Sequence, residues 1–298
     1  MTPLLSFFTL VLTAAPAGPE TQFVQVAPAR REAEKFERSP DHERAVVLIH
    51  GLRPSVFSRA AVLRPDFLDW QGADSALVKT IGKESDVYAF AYGQNVPADE
   101  VVAVPELAES VGRLQKLGYK QIVLIGYSAG GLIARQFVED YPDSGVTKVV
   151  QVCTPNGGSA WAKVRAVRSV QLDFLRSLSK GSRRRAQYER VDKLIPPEVE
   201  FVCVVGTGAL LGDGVVTSRS QWTEDLQDQG VPAYAVCSTH CHIMHCKKAI
   251  ALIDELVTEP QPRWDAKQVA KERRKVLGIE GGLSSCTIGH VRVGGFFR

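Results

Sequence analysis

Beyond residue 44 the chain keeps returning to short, unbroken apolar runs. Longer stretches separate them, in which apolar residues recur at helical spacing. Residues 45–49 and 201–205 are such runs, 86–92 and 121–125 are so after a polar first residue, and 146–152 and 232–236 read as further strands. A strand that is apolar throughout, rather than on alternate positions, belongs to a sheet buried on both faces, and such sheets are mostly parallel. Between these runs, residues 105–117 open on Pro105, set Leu107, Val111, Leu114 and Leu117 on one face and end before Gly118. Residues 132–138 and 247–257 read as further helices. Strands alternating with helices predict an α/β fold, a mostly parallel central sheet with helices on both faces.

Two stretches break the rhythm. Residues 160–197 hold amphipathic segments and the cluster Arg183-Arg184-Arg185 where another strand would be due. They predict a small cap or lid inserted in the domain. From residue 259 the chain turns polar, then glycine-rich, which reads as an appended, partly ordered basic tail over 259–298. At the other end, residues 1–31 read as a leader. Their apolar stretch ends in small residues as a secretory signal does, but no Lys or Arg precedes it. The domain proper then spans 32–258.

Composition narrows the partners. A chain of 298 residues, 45% hydrophobic, can bury a full core. The formal charge of +3, from 36 basic and 33 acidic residues, is too mild to imply a nucleic-acid partner. The basic excess is local: nine basic against three acidic residues over 161–192, and eight against three over 263–298. These segments read as solvated faces, with peripheral contact to an anionic membrane surface as the alternative. No stretch reaches the length of a membrane span. Of six cysteines, Cys153 and Cys203 sit in strand-like surroundings and read as core, and the spacing gives no disulfide framework. The compartment stays open: cytoplasmic, or secreted or periplasmic if the leader is a signal. Oligomeric state is not readable.

The chemistry centres on residues 126–131, Gly-Tyr-Ser-Ala-Gly-Gly, entered directly from an apolar strand and followed by a helix. Strand, sharp turn and helix form the setting in which the serine of Gly-x-Ser-x-Gly becomes a nucleophile, with Gly126 and Gly130 required by the tight turn. Ser128 needs a base, best an imidazole, and the imidazole needs an oriented carboxylate. If the chain follows the order in which the serine comes first, both lie downstream. The candidate acid is Asp213, in a glycine-flanked loop after the 201–205 strand, with Asp225 and Asp228 as rivals. The candidate bases are His240, His242 and His245. His240, Cys241, His242, His245 and Cys246 also offer five metal-ligand types in seven residues. The second half of a zinc site is missing, so no metal is expected. Neither Gly-x-Gly-x-x-Gly nor a phosphate-binding loop occurs, and no cofactor is expected.

These segments resemble the α/β-hydrolases of the lipase/esterase-like branch, bacterial lipases and the glycosylphosphatidylinositol-inositol-deacylase-like hydrolases included. The likeness covers roughly residues 44–257. It rests on Ile49-His50-Gly51-Leu52, on 126–131, on Thr154-Pro155-Asn156-Gly157-Gly158-Ser159 and on Gly212-Asp213-Gly214-Val215-Val216. It departs from the pattern at Asn156, where many relatives carry histidine. The resemblance implies that Asp213 supports the histidine. It aligns His240 as the base, with His242 the runner-up. The oxyanion hole would come from the amides of Leu52 and Ala129, with His50 and Gly51 supporting. The implied function is a serine hydrolase cleaving small-molecule or lipid carboxylic esters through an acyl-enzyme. An acyltransferase or amidase, or a non-catalytic hydrolase-fold binding protein, are the alternatives.

Overall fold

A computed structural model describes residues 18–29, 35–53, 64–163, 167 and 169–277. The apolar stretch of the leader, Cys286 and the end of the basic tail lie outside the described residues. Seven strands form one sheet: β1 (Thr21–Ala27), β2 (Arg44–Ile49), β3 (Asp86–Tyr92), β4 (Gln121–Tyr127), β5 (Lys148–Val152), β6 (Glu200–Gly206) and β7 (Ala233–Val236). Their order is β1-β3-β2-β4-β5-β6-β7. β1 runs antiparallel to β3, and every other pairing is parallel. The six predicted strands are all present in one sheet.

The unbroken apolar runs are explained by two cores, one on each face. In β2, Ala45, Val47 and Ile49 point into one core, while Val46 and Leu48 point into the other. The first core takes helix Pro105–Lys116 through Leu107, Val111 and Leu114, and helix Ala129–Asp140 through Leu132, Ile133 and Phe137. The second takes helix Ala76–Ile81 and helix Lys247–Thr258, whose Ile250, Ile253, Leu256 and Val257 are buried. Lys148 stands in this interior because its Nζ reaches the carbonyls of Leu256, Val257 and Glu259 at 2.9, 3.3 and 2.7 Å. A cation there also meets the negative end of the helix dipole.

Two structured segments fall where the sequence reading placed a leader and a tail. β1 lies within 1–31. It lies at the sheet's edge and is only partly covered, with Phe23 and Gln25 buried. Within 259–298, helix Ala266–Val276 buries Val269 and Val276 against the first core. Trp264 packs edge-on against Trp222 and Tyr234, with ring centroids 6.2 and 5.8 Å apart. In the 160–197 segment, a 3-10 turn at Ser169–Gln171 leads into helix Leu172–Ser177, and helix Lys180–Glu189 follows. Phe174 packs on Tyr92 at 5.9 Å, and Arg183 Nη1 pairs with Asp99 at 2.6 Å.

Candidate active site

β4, β6 and β7 are parallel, so their C-terminal ends share one rim of the sheet. Ser128 follows β4, Asp213 follows β6 and His240 follows β7. The turn at Ser128 is sharp, with φ 54° and ψ −124°. A non-glycine residue there costs about 1–3 kcal/mol of strain. The Ser128 amide donates to Val152 O at 2.8 Å and its carbonyl accepts from Gly131 at 3.0 Å, which hold the turn. The flanking glycines are forced by close approach. A Cβ on Gly126 would lie 2.4 Å from Gly131 Cα, and one on Gly130 would lie 2.2 Å from Ile49 O.

The three side chains form one hydrogen-bonded line. His240 Nε2 stands 3.0 Å from Ser128 Oγ, and His240 Nδ1 stands 2.7 Å from Asp213 Oδ2. All three residues are buried. The backbone repeats the link, since the His240 amide donates to Asp213 O at 2.9 Å. Tyr127 Oη donates to His240 O at 2.8 Å and so fixes the histidine loop from the nucleophile's own strand. Asp213 Oδ1 accepts from the amides of Val215 and Val216 at 2.8 and 2.7 Å, and Oδ2 also accepts from Gln221 Nε2 at 3.2 Å. Burial pushes the Asp213 carboxyl up. The hydrogen bond and charge of His240, with the two amides, outweigh it and hold the group below its ordinary value. Asp213 is therefore a carboxylate, an acceptor that keeps the Nδ1 proton on the far side of the ring and leaves Nε2 free to accept from Ser128.

The loop after β2 abuts the serine. A Cβ on Gly51 would lie 2.5 Å from Ser128 Cβ and 3.1 Å from its Oγ. Gly51 O accepts from His50 Nδ1 at 2.8 Å and from Gln94 Nε2 at 2.8 Å. The His50 ring stacks on Tyr92 with centroids 4.4 Å apart, and its Nε2 accepts from the Tyr92 amide at 3.4 Å. The amide of Ala129, first residue of its helix, has no intrahelical acceptor to satisfy it.

Burial drags the His50 pKa down from 6.5 to about 4, against the raising effect of its bond to Gly51 O. The folded protein keeps His50 neutral where the unfolded chain already binds a proton. Between those two values the unfolded state holds more protons, so stability falls as pH falls; over the whole window the loss is about 3 kcal/mol. Asp86 and Asp213, held low, lose their contributions only at more acid pH, below the ordinary carboxylate value. Denaturant unfolding from pH 7 to 4 should show this decline, and His50→Gln should flatten it. An undiminished decline in His50→Gln would assign the effect to another group.

The other sequence candidates lie elsewhere. His242 and His245 are exposed, the latter 3.6 Å from Asp69 through Nε2. Asp225 pairs with Arg135 of helix Ala129–Asp140 at 2.6 Å. Asp228 ends the short helix Glu224–Asp228. Cys241 is exposed and Cys246 half-buried. Among the described residues, the one group with ligand atoms close enough for a metal is Cys153, Asp213 and His240, not the 240–246 cluster. In that group the Cys153 thiol is pushed well up by burial, then by the charge and hydrogen bond of Asp213.

Asn156, where the lipase-like loop departs from its pattern, has a structural task. Its Nδ2 donates to Gln151 Oε1 and Gln221 O, both at 2.8 Å. Tyr127, Gln221 and Gln94 escaped the sequence reading. Gln94 follows the end of β3 on the active rim, a position the strand pattern could have flagged. Gln221 carried no such signal.

The chain has the α/β-hydrolase fold: residues 44–171 match the family profile described as alpha/beta hydrolase fold. It is similar in fold to the mature lipase BlEst2 of Bacillus licheniformis, with 15% identity and a TM-score of 0.57, covering 74% of this chain and 94% of that one. A second similar structure is the phospholipase PlaB of Legionella pneumophila, with 14% identity and a TM-score of 0.55, covering 79% and 63%. A third is lipase B of Aspergillus fumigatus, with 13% identity and a TM-score of 0.54, covering 93% and 67%. A search of curated proteins gives no match. Among the described residues, no helix is long and apolar enough to cross a membrane.

Proposed function

We propose that this protein is a serine hydrolase of carboxylic esters. The carrying observation is the hydrogen-bonded line from Ser128 Oγ to His240 Nε2, 3.0 Å, and from His240 Nδ1 to Asp213 Oδ2, 2.7 Å. Ser128 Oγ attacks the ester carbonyl carbon as His240 Nε2 takes its proton. Negative charge collects on the former carbonyl oxygen, and the amides of Leu52 and Ala129 receive it. The tetrahedral intermediate collapses as the imidazolium gives its proton to the leaving alcohol. Water, deprotonated by His240, then clears the acyl-enzyme through the same steps. Asp213 stays ionised throughout and fixes the ring's tautomer.

Lipid-like esters suit the rim. Leu210 and Leu211, at the tip of the loop leading to Asp213, are exposed, as is Trp161. Exposed apolar side chains on the loop that carries Asp213 suit an apolar acyl chain. The lipase and phospholipase among the similar structures favour the same substrate class.

A series of nitrophenyl esters from acetate to palmitate tests the reading. Hydrolysis should be measurable, and its chain-length optimum reports the reach of the acyl site. A folded protein that cleaves none of the series would overturn it.

A further inference from the structure

The peptide between Gly51 and Leu52 carries both a pinned oxygen and a proposed oxyanion donor. Peptide planarity puts the Gly51 carbonyl and the Leu52 N–H on opposite sides of one rigid plate. Whatever fixes Gly51 O therefore aims the Leu52 amide. Two donors fix that oxygen, His50 Nδ1 from the loop itself and Gln94 Nε2 from the end of β3, both at 2.8 Å.

Gln94 is in turn held by its other end. Its Oε1 accepts from the Arg53 amide at 3.0 Å and from Gln171 Nε2 at 3.1 Å. Gln171 Nε2 also donates to Arg53 O at 2.8 Å, a contact spanning 118 residues of sequence. The Gln171 amide thus binds a carbonyl two residues further along the same loop and the side chain that orients the Gly51–Leu52 peptide. Gln171 is 1% exposed, so neither bond competes with bulk water. Its own Oε1 is buried without a partner. A glutamine is costly to bury half-satisfied, and its donor side accounts for its presence here.

Gln171 belongs to the 160–197 segment. It closes the 3-10 turn Ser169–Gln171 and opens helix Leu172–Ser177, which is seated by Phe174 on Tyr92 and by Ser177 Oγ accepting from the Ala98 amide at 3.0 Å. We propose that Gln171 is a positioning residue through which the seated segment of residues 169–177 sets the Leu52 oxyanion donor. The inference rests on the ester-hydrolase reading. If the segment shifts, the Gln171 bonds to Arg53 O and Gln94 Oε1 go, the Gln94 amide is held at that end by the Arg53 N–H alone, and one of the two anchors of the Gly51–Leu52 plate is weakened. The expected effect is on the transition state, where the oxyanion exists, and not on binding of the neutral ester.

Gln171→Met keeps the length of the side chain and removes the donor. It should lower kcat on nitrophenyl butyrate about tenfold, less than deletion of a whole oxyanion donor, with KM within about twofold. A trifluoromethyl ketone of the same acyl length gives a second readout. Ser128 Oγ adds to its carbonyl carbon, the π electrons become an oxyanion and the serine proton passes to His240, so its affinity follows the oxyanion site. Its inhibition constant should weaken by the same factor as kcat, while that of the corresponding alcohol stays put. Unchanged kcat and ketone affinity would overturn the proposal. So would a loss shared equally by ketone and alcohol with a lowered melting temperature, which is the mark of a merely structural role. If Gln171→Met fails to fold, Gln171→Asn, which keeps the amide but shortens its reach, is read by the same two constants. An inactive wild type would instead remove the ester-hydrolase reading on which the inference stands.

Discussion

His240→Ala should abolish ester turnover as completely as Ser128→Ala, each costing on the order of 10⁵ to 10⁶ in kcat. In the proposed mechanism one imidazole, with Nε2 3.0 Å from Ser128 Oγ, serves as base in acylation and as acid toward the leaving group. Without it the serine hydroxyl keeps its proton and is a poor nucleophile. Serine and histidine act as a unit, so the double variant should be scarcely worse than either single one. His242→Ala and His245→Ala should lose about tenfold or less, because both side chains are exposed and neither reaches the serine. Their melting temperatures should stay near that of the wild type. If His242→Ala were the dead variant and His240→Ala still turned over, the assignment of the base would be wrong by two residues.

Asp213→Asn should keep the fold and lower kcat by roughly 10³ to 10⁴. The carboxylate is acceptor-only, and its Oδ1 takes the Val215 and Val216 amides at 2.8 and 2.7 Å. Asparagine can keep its carbonyl oxygen on those amides. Its NH₂ then faces His240 Nδ1, and two donors cannot share that position. The ring must carry its proton on Nε2, where it can no longer accept from Ser128. Retention of normal turnover in a purified, folded Asp213→Asn would remove this aspartate from the mechanism. Because the acid is held low by His240 and the two amides, the wild type should keep an ionised Asp213 well into the acid range. Loss of activity on mild acidification would then belong to another group.

Strand register made much of this site legible. Apolar runs located β2 to β7, and a serine, an aspartate and a histidine each followed one of them. Counting forward to the buried face of helix Lys247–Thr258, where Ile250 and Ile253 pack on the sheet, favours His240 among three histidines, and it is His240 that stands beside Ser128. What escaped was of two kinds. β1 and helix Ala266–Val276 bury only narrow stripes, Phe23 and Gln25 in one and Val269 and Val276 in the other, so neither carries an unbroken apolar run. The glutamines escaped because nothing local marks a side-chain amide that is buried by folding. Gln171 meets Arg53 across 118 residues and Gln221 meets Asp213 only through the loop's curl. Asn156 shows the reverse case. It stands out as a departure from the lipase-like pattern, and its bonds to Gln151 and Gln221 O show it bracing the backbone beneath the acid's loop.

The central claim, that Ser128 is the nucleophile activated by His240, is tested most directly by covalent trapping. Incubation with a fluorophosphonate ester, followed by intact-mass measurement and peptide mapping, should show one adduct per chain, on the peptide carrying Ser128. Labelling should be absent in Ser128→Ala and slowed by orders of magnitude in His240→Ala. An adduct on a different residue, or ester hydrolysis that persists in the Ser128→Ala variant, would contradict the account.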